Sequence, residues 1–460
     1  MFFKQFLRDD LGCASYLIGD TDVGECVVVD PQWDVADYLK TADKQGLRIS
    51  YVIETHNHAD HVSGHGKLAQ WGAEIAVYED AGVDYPHRGL KDGETIGVGS
   101  VHIKVLHTPG HRPEHIALAI TDTSRADEPW MVLTGDALFV GDVGRPDLAV
   151  QPNEGAAQLF ESLHTRVLSL HDGVEIYPAH VAGSLCGKSM SLKGSSTIGF
   201  ERRFNHPLTL KDSREFVRQV TAELPPQPPH FAHIVAKNTG PLLTEDPVVR
   251  GMSADEVDAL RRQGAIILDT RSPEAFGGSH IPGSFNVDLN GGQFGTRSAW
   301  LIAPDKVVIL VLESANDLGS AVSSLVATGQ DRIEGYLIGG MQAWDGSGRP
   351  LESVRQMPVS ELHQRLEAGD PGLTVIDVRE DSEWKEDHIP ATMHIPFHQL
   401  VHHLDELPSN RPVATLCGGG TRSSIAASIL QANGFEPVNV VGGIDAWKSA
   451  GYKVEIPSQG

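Results

Sequence analysis

The chain has 460 residues, 37 Lys and Arg against 61 Asp and Glu, a net charge of −24, 40% hydrophobic residues and four cysteines. Such a length suggests two to four domains, and the acidic excess, shared evenly between residues 1–252 and 253–460, argues against a nucleic-acid or anionic-membrane surface and for a compact substrate. Cys13, Cys26, Cys186 and Cys417 are too widely spaced for a disulfide framework or a Cys-x-x-Cys pair, which fits a reducing cytoplasm. The apolar start is broken by charge before it reaches signal-peptide length, and no run approaches ~18 apolar residues, so a soluble, unexported protein is expected.

In chain order, Ile49 to Ile53 reads as a buried strand that runs into Glu54-Thr55-His56, and Trp130 to Leu133 as another that ends in Thr134-Gly135-Asp136. Side chains at strand ends sit on a rigid frame yet reach a cleft. Thr55-His56-Asn57-His58-Ala59-Asp60-His61 places three imidazoles and a carboxylate in one short segment, followed by Pro109-Gly110-His111, Asp136 and Pro178-Ala179-His180. Imidazole with carboxylate suits zinc, iron or manganese. Cys186 follows in Gly183-Ser184-Leu185-Cys186-Gly187-Lys188, either an inert buried thiol or a persulfide acceptor with Lys188 nearby. Cys13 and Cys26 read as core.

These segments resemble the motif set of the metallo-β-lactamase superfamily across about residues 1–245, which implies an αβ/βα sandwich with metal at the sheet edges. The superfamily includes dinuclear zinc hydrolases of the glyoxalase II type and mononuclear iron persulfide dioxygenases. All seven ligands of a dinuclear site are present, so the ligand set alone leaves both open. The words His56 to Gly64, Thr134 to Phe139 and Gly141 to Leu148 look like the dioxygenase versions. That resemblance implies one Fe(II) on His56, His111 and Asp136, with His58, Asp60, His61 and His180 as surrounding groups or, in the hydrolase alternative, ligands to two Zn. It also implies Arg145 as a pocket arginine for an anionic substrate group, a salt-bridged turn arginine being the other reading.

Leu224-Pro225-Pro226-Gln227-Pro228-Pro229, with the loop-like segment that follows it to about Gly251, is expected to mark a boundary. Beyond it the chain repeats itself. Leu268-Asp269-Thr270-Arg271 returns as Ile376-Asp377-Val378-Arg379, His280-Ile281-Pro282 as His388-Ile389-Pro390, and Gly339-Gly340 to Trp344 as Gly442-Gly443 to Trp447. Matched landmarks in order indicate a duplicated domain. Strand-like runs (265–268, 307–312) alternate with helical ones (321–327, 424–432), so each copy is expected to be α/β with parallel strands.

Val413 to Leu416 reads as a strand, Cys417-Gly418-Gly419-Gly420-Thr421-Arg422 as a loop, and Ser423 as the start of a helix. Glycines allow backbone N–H groups to converge on the sulfur, while the helix N-terminus and Arg422 add positive potential. Together with the repeated landmarks this resembles a rhodanese domain at about 355–457. It implies Cys417 as the sulfur-carrying nucleophile, with Gly418, Gly419, Gly420, Thr421 and Arg422 as an anion cradle. The copy at about 253–350 places Leu312 opposite Cys417 and Asp317 opposite Arg422, so it is expected to be inactive.

The resemblance as a whole implies a persulfide dioxygenase fused to an inactive and an active rhodanese. It would oxidise a low-molecular-weight persulfide such as glutathione persulfide with O₂ to sulfite and thiol, coupled to thiosulfate through Cys417. The alternatives are a zinc thioester hydrolase with an attached sulfurtransferase, or a sulfur-relay platform with a weak metal domain. Expected partners are the persulfide, thiosulfate, sulfite and O₂, with no nucleic acid and no membrane; a homo-oligomer is left open.

Overall fold

Strand parity organises the N-terminal fold. In the strand Cys13–Asp20, Ala14, Tyr16 and Ile18 face one side and Leu17 the other, and every residue is buried. Only an interior sheet covered on both faces produces that pattern. The computed structural model describes all residues except 185, 188, 223, 225 and 457–460, so Lys188 and Pro225 lie outside the described residues. The chain falls into two compact units, Met1–Asp246 with Val326–Gly329, and Pro247–Leu325 with Gln330–Gly460.

The first unit contains two six-stranded sheets. One runs β1 (Phe2–Arg8), β2 (Cys13–Asp20), β3 (Glu25–Val29), β4 (Arg48–Ile53), β5 (Glu74–Tyr78), β6 (Arg88–Leu90) in spatial order. The other contains β7 (Thr95–Val98), β8 (Val101–His107), β9 (Ile116–Asp122), β10 (Met131–Gly135), β11 (Glu175–Pro178) and β12 (Ser196–Thr197), also neighbours in order. Tyr16, Val27, Ile53 and Ala76 from the first sheet meet Ile103, Val105, Leu118 and Leu133 from the second in one buried core. The opposite faces are covered by helices. Tyr38 and Ala42 of helix Ala36–Gln45 pack with Leu17, Val28 and Val52, while Leu159 and Phe216 from two other helices pack with Ala119, Val132 and Ile176. This is the expected αβ/βα sandwich.

The second unit contains two five-stranded parallel sheets with the same order. The first is β13 (Arg250–Met252), β17 (Ile333–Leu337), β16 (Val308–Val311), β14 (Ile266–Asp269), β15 (Phe285–Asn286). The second is β18 (Arg355–Pro358), β22 (Pro437–Val441), β21 (Val413–Leu416), β19 (Thr374–Asp377), β20 (Met393–His394). The repeated landmarks make the same bonds in each. Arg271 and Arg379 each grip the aspartate two residues earlier through two guanidinium nitrogens. Trp344 and Trp447 each donate Nε1–H to a carbonyl six residues on. The helix after Cys417 spans Thr421–Ala432, beginning two residues before the expected Ser423. Among the described residues, no helix is long and apolar enough to cross a membrane.

Candidate metal and sulfur-transfer sites

β4 delivers Glu54-Thr55-His56 to the edge of its sheet, and β10 delivers Asp136 to the edge of the other. Asp136 follows Gly135, whose φ of +50° turns the chain, and a Cβ there would come within 2.5 Å of His115 Nε2. His56 Nε2 and His111 Nε2 lie 3.9 and 3.4 Å from Asp136 Oδ2, and all three residues are buried.

The hydrogen bonds fix which ring nitrogens carry lone pairs. Thr55 Oγ1 donates its one proton to Asp30 Oδ2 at 2.8 Å, so its 2.9 Å contact with His56 Nδ1 has the imidazole as donor. His111 Nδ1–H donates to the carbonyl of Arg145 at 3.0 Å. Both Nε2 atoms therefore present lone pairs towards Asp136 Oδ2. Among the described residues, His111 Nε2 and Asp136 Oδ2 are buried without a hydrogen-bond partner. Donors sharing one ion at about 2.1 Å sit roughly 3–3.4 Å apart, which the His111–Asp136 pair matches and the His56–Asp136 pair exceeds by about half an ångström, a small closure for three donors that all lie within 4.8 Å of one another. Burial, then the charge of neighbouring His58, holds His56 well below the usual histidine range, and burial lowers His111. Burial alone would raise Asp136, but His180 and His111 together outweigh it and hold the carboxyl at about 2.

The other expected ligands are engaged differently. His58 Nε2 lies 3.1 Å from both Asp30 Oδ1 and Glu54 Oε2. Burial opposes its charge, yet the two carboxylates raise its pKa well above the usual value. His180 bridges Asp136 Oδ1 and Asp60 Oδ2 at 2.7 Å each, and His61 Nδ1 reaches Asp60 Oδ1 at 3.2 Å. Cys13 Sγ completes this second cluster, 3.5 Å from Asp60 Oδ2, so it does more than fill the core. Cys186 Sγ lies in a group with Asp136 and His180 whose donor atoms are within 4.8 Å of one another. Burial, then the two nearby aspartates, pushes that thiol well up, which keeps it protonated. The Arg145 guanidinium is turned onto Asp147, with Nε and Nη2 at 2.7 and 2.8 Å from its two oxygens.

Three positioning groups carry no motif of their own. Asp30 directly follows β3 and anchors both Thr55 and His58. His115 accepts the Asp136 N–H at Nε2 (2.9 Å) and contacts Thr108 Oγ1 at 2.8 Å. Asn238, in helix Phe231–Thr239, donates to the carbonyls of His58 and His61 and accepts the Ser63 N–H, clamping the histidine segment from about 180 residues away. The histidine at i+4 from His111 was a visible signal for His115; for Asp30 and Asn238 only the tertiary contact reveals the part.

Cys417 is buried at the end of β21, and the Gly420 N–H donates to Sγ at 3.1 Å. The carbonyls of Cys417 and Gly418 accept N–H groups of Ile444 and Asp445, at the start of helix Gly443–Ser449. A Cβ at Gly443 would sit 2.1 Å from the Cys417 carbonyl oxygen, so only glycine permits this approach. Ser423 Oγ contacts Sγ at 3.5 Å and donates to Asn439. Arg422 is held by both carboxylate oxygens of Glu383, a partner unnoticed in the sequence. Gly418, Gly419, Thr421 and Arg422 line a cavity of about 390 Å³ beside the sulfur loop. In the other repeat, buried Leu312 follows β16 where Cys417 follows β21, and Asp317 is used in a helix-capping box with Ser314.

Residues 8–180 match the family model of the metallo-beta-lactamase superfamily, and residues 253–347 and 358–450 each match that of the rhodanese-like domain. The mitochondrial persulfide dioxygenase of Bos taurus is 31% identical over 228 residues, 49% of this chain and 82% of that protein. That of Homo sapiens is 32% identical over 208 residues, 44% of this chain and 74% of that protein. A crystal structure described as a metallo-beta-lactamase from Staphylococcus aureus subsp. aureus COL aligns with a TM-score of 0.67 at 33% identity, covering 73% of this chain and 99% of that one. The chain thus belongs to the metallo-β-lactamase superfamily, with persulfide dioxygenases among its homologues, and carries two rhodanese-like domains after its metal-binding fold.

Proposed function

We propose that the first domain oxidises a low-molecular-weight thiol persulfide, such as glutathione persulfide, with O₂. The net reaction consumes persulfide, O₂ and water and yields thiol, sulfite and two protons. His56, His111 and Asp136 would hold one Fe(II). Iron supplies the redox chemistry towards O₂ that zinc lacks. The observation that carries this reading is the unequal state of the seven family ligands. Two imidazole lone pairs and one free carboxylate oxygen converge, whereas His58 is ion-paired to Asp30 and Glu54, and His180 uses both ring nitrogens on carboxylates. Three protein donors on one face leave room for two small ligands at the ion.

This chain's residues do the holding. Thr55 and the Arg145 carbonyl orient the imidazoles, His115 fixes the Asp136 backbone, and His180, charged between Asp136 and Asp60, is a proton source beside the site. Cys186, kept protonated by burial and then by Asp136 and Asp60, fits the inert of its two readings better than the persulfide acceptor. Cys417 exchanges sulfane sulfur with thiosulfate through a persulfide stabilised by Gly420 N–H and the loop. The four free cysteines fit a reducing cytoplasm.

The test is anaerobic purification with metal analysis, followed by O₂ uptake on glutathione persulfide. One iron per chain and O₂ uptake that His111→Ala abolishes are expected. Two zinc ions per chain with thioester hydrolysis would refute the proposal in favour of the hydrolase.

A further inference from the structure

The cysteine-free repeat carries an arginine to the sulfur-transfer centre of the other repeat. Helix Phe294–Leu301 of the first repeat presents Arg297, whose Nη1 donates to the carbonyl of Gly291 at 3.0 Å and to Thr421 Oγ1 at 3.3 Å. Thr421 begins the helix that follows the Cys417 loop. Arg297 lines the same 390 Å³ cavity as Gly418, Gly419 and Arg422.

The other cations of that cavity are neutralised. Arg422 is bound by Glu383, Arg379 by Asp377, and Lys448 pairs with Asp387. Among the described residues Arg297 makes no ion pair, and its Nε is buried without an acceptor. Glu386 and Asp445 also line the cavity. Burial, and then the charge of Arg422, lowers the pKa of Arg297 against the opposing charges of Cys417, Asp288 and Glu383, which marks a desolvated cation with anions nearby but none paired to it.

Its placement is rigid. Asn286 of the first repeat donates its N–H to Ser428 Oγ and accepts from Ser424 Oγ at 2.6 Å, and His280 Nε2 lies 3.0 Å from Gln431 Oε1. All three partners belong to the helix Thr421–Ala432. Trp300 packs its ring 4.6 Å from that of His398.

We propose that Arg297, supplied by the cysteine-free repeat, is a substrate-binding residue of the Cys417 centre that holds the SO₃ group of thiosulfate. The inference rests on the reading of Cys417 as the sulfur carrier. A planar guanidinium with spare donors matches oxyanion geometry. In the step served, the Cys417 thiolate attacks the sulfane sulfur of thiosulfate, the S–S bond of the donor breaks, and sulfite leaves with the bonding pair. A cysteine persulfide anion remains, and charge and electrons balance without another oxidant. Holding the SO₃ group steadies both the incoming dianion and the departing sulfite.

The test is steady-state sulfur transfer from thiosulfate to cyanide by the full chain. Arg297→Ala and Arg297→Gln should raise KM for thiosulfate about ten- to hundredfold, as loss of a charge-assisted hydrogen bond implies, with kcat changed far less. Arg297→Lys should recover most of that loss, and thermal melting should match the parent. Unchanged KM in the Ala and Gln variants, with Cys417→Ser inactive, would overturn this inference alone. Full turnover in Cys417→Ser would overturn the reading beneath it. An equal fall in kcat for Ala, Gln and Lys variants at unchanged KM would show that Arg297 is only a domain contact and refute the proposal.

Discussion

Thr55→Val replaces a fully buried hydroxyl by a methyl of the same shape. Two bonds disappear, the 2.8 Å donation to Asp30 and the 2.9 Å acceptance from His56 Nδ1–H, while the Thr55 backbone bond to Asp30 Oδ1 at 2.7 Å is kept. A buried donor left unsatisfied costs about 1–3 kcal/mol. In the metal-free protein that cost appears as stability, roughly 2–4 °C of melting temperature per kcal/mol for a domain of this size. It also releases His56 to rotate or to move its proton to Nε2, which would block ligation, so metal affinity should fall about 10–100-fold, the usual range for loss of a ligand's supporting bond. Chelator-competition titrations with Fe(II), and with Co(II) as an O₂-stable probe, read this directly. Thr55→Ser keeps the hydroxyl and should bind metal like the parent. Unchanged affinity in Thr55→Val, or an equal loss in Thr55→Ser, would refute the assignment of His56 orientation to this hydroxyl.

Two further outcomes are expected. His115 is buried neutral, burial and then the charge of His111 holding its pKa down at about 3, with Nε2 accepting the Asp136 N–H. The unfolded chain binds that proton near pH 6.5 and the folded one does not until about pH 3, so this group makes stability fall as pH drops through that window. Urea midpoints of the metal-free protein against pH should therefore be less steep in His115→Gln, by up to one proton or about 1.4 kcal/mol per pH unit; identical slopes would contradict the assignment. Glu383→Gln removes the carboxylate from Arg422, where burial is outweighed by that partner in raising the arginine's pKa. Thiosulfate should bind severalfold more tightly and with steeper dependence on ionic strength, and weaker binding would show that Glu383 is needed to aim the guanidinium.

Much of the molecule was legible from local pattern. The strand-end words around His56, His111 and Asp136 could be read because a strand delivers consecutive residues to one edge, and the duplicated Asp-x-Arg, His-Ile-Pro and Gly-Gly…Trp landmarks because each serves a bond within its own repeat. The α/β class followed from alternating strand and helix signals for the same reason.

The tertiary structure decided what depends on residues distant in the chain. His56 and His58 are two positions apart and equivalent by composition, yet one points a lone pair at Asp136 while the other is taken by Asp30 and Glu54. Arg145, for which the sequence left a pocket role and a salt bridge open, is held by Asp147, and Arg422, read as part of an anion cradle, is held by Glu383. Arg297 has no motif and comes to the sulfur loop because two repeats bury one helix between them. By itself, then, the sequence determined which residue types stand at the strand ends and which repeat carries a cysteine in its glycine loop. Which nitrogen keeps its lone pair and which cation is left without a paired carboxylate was settled only by folding, since hydrogen bonds and ion pairs fall off within a few ångströms and know nothing of separation along the chain.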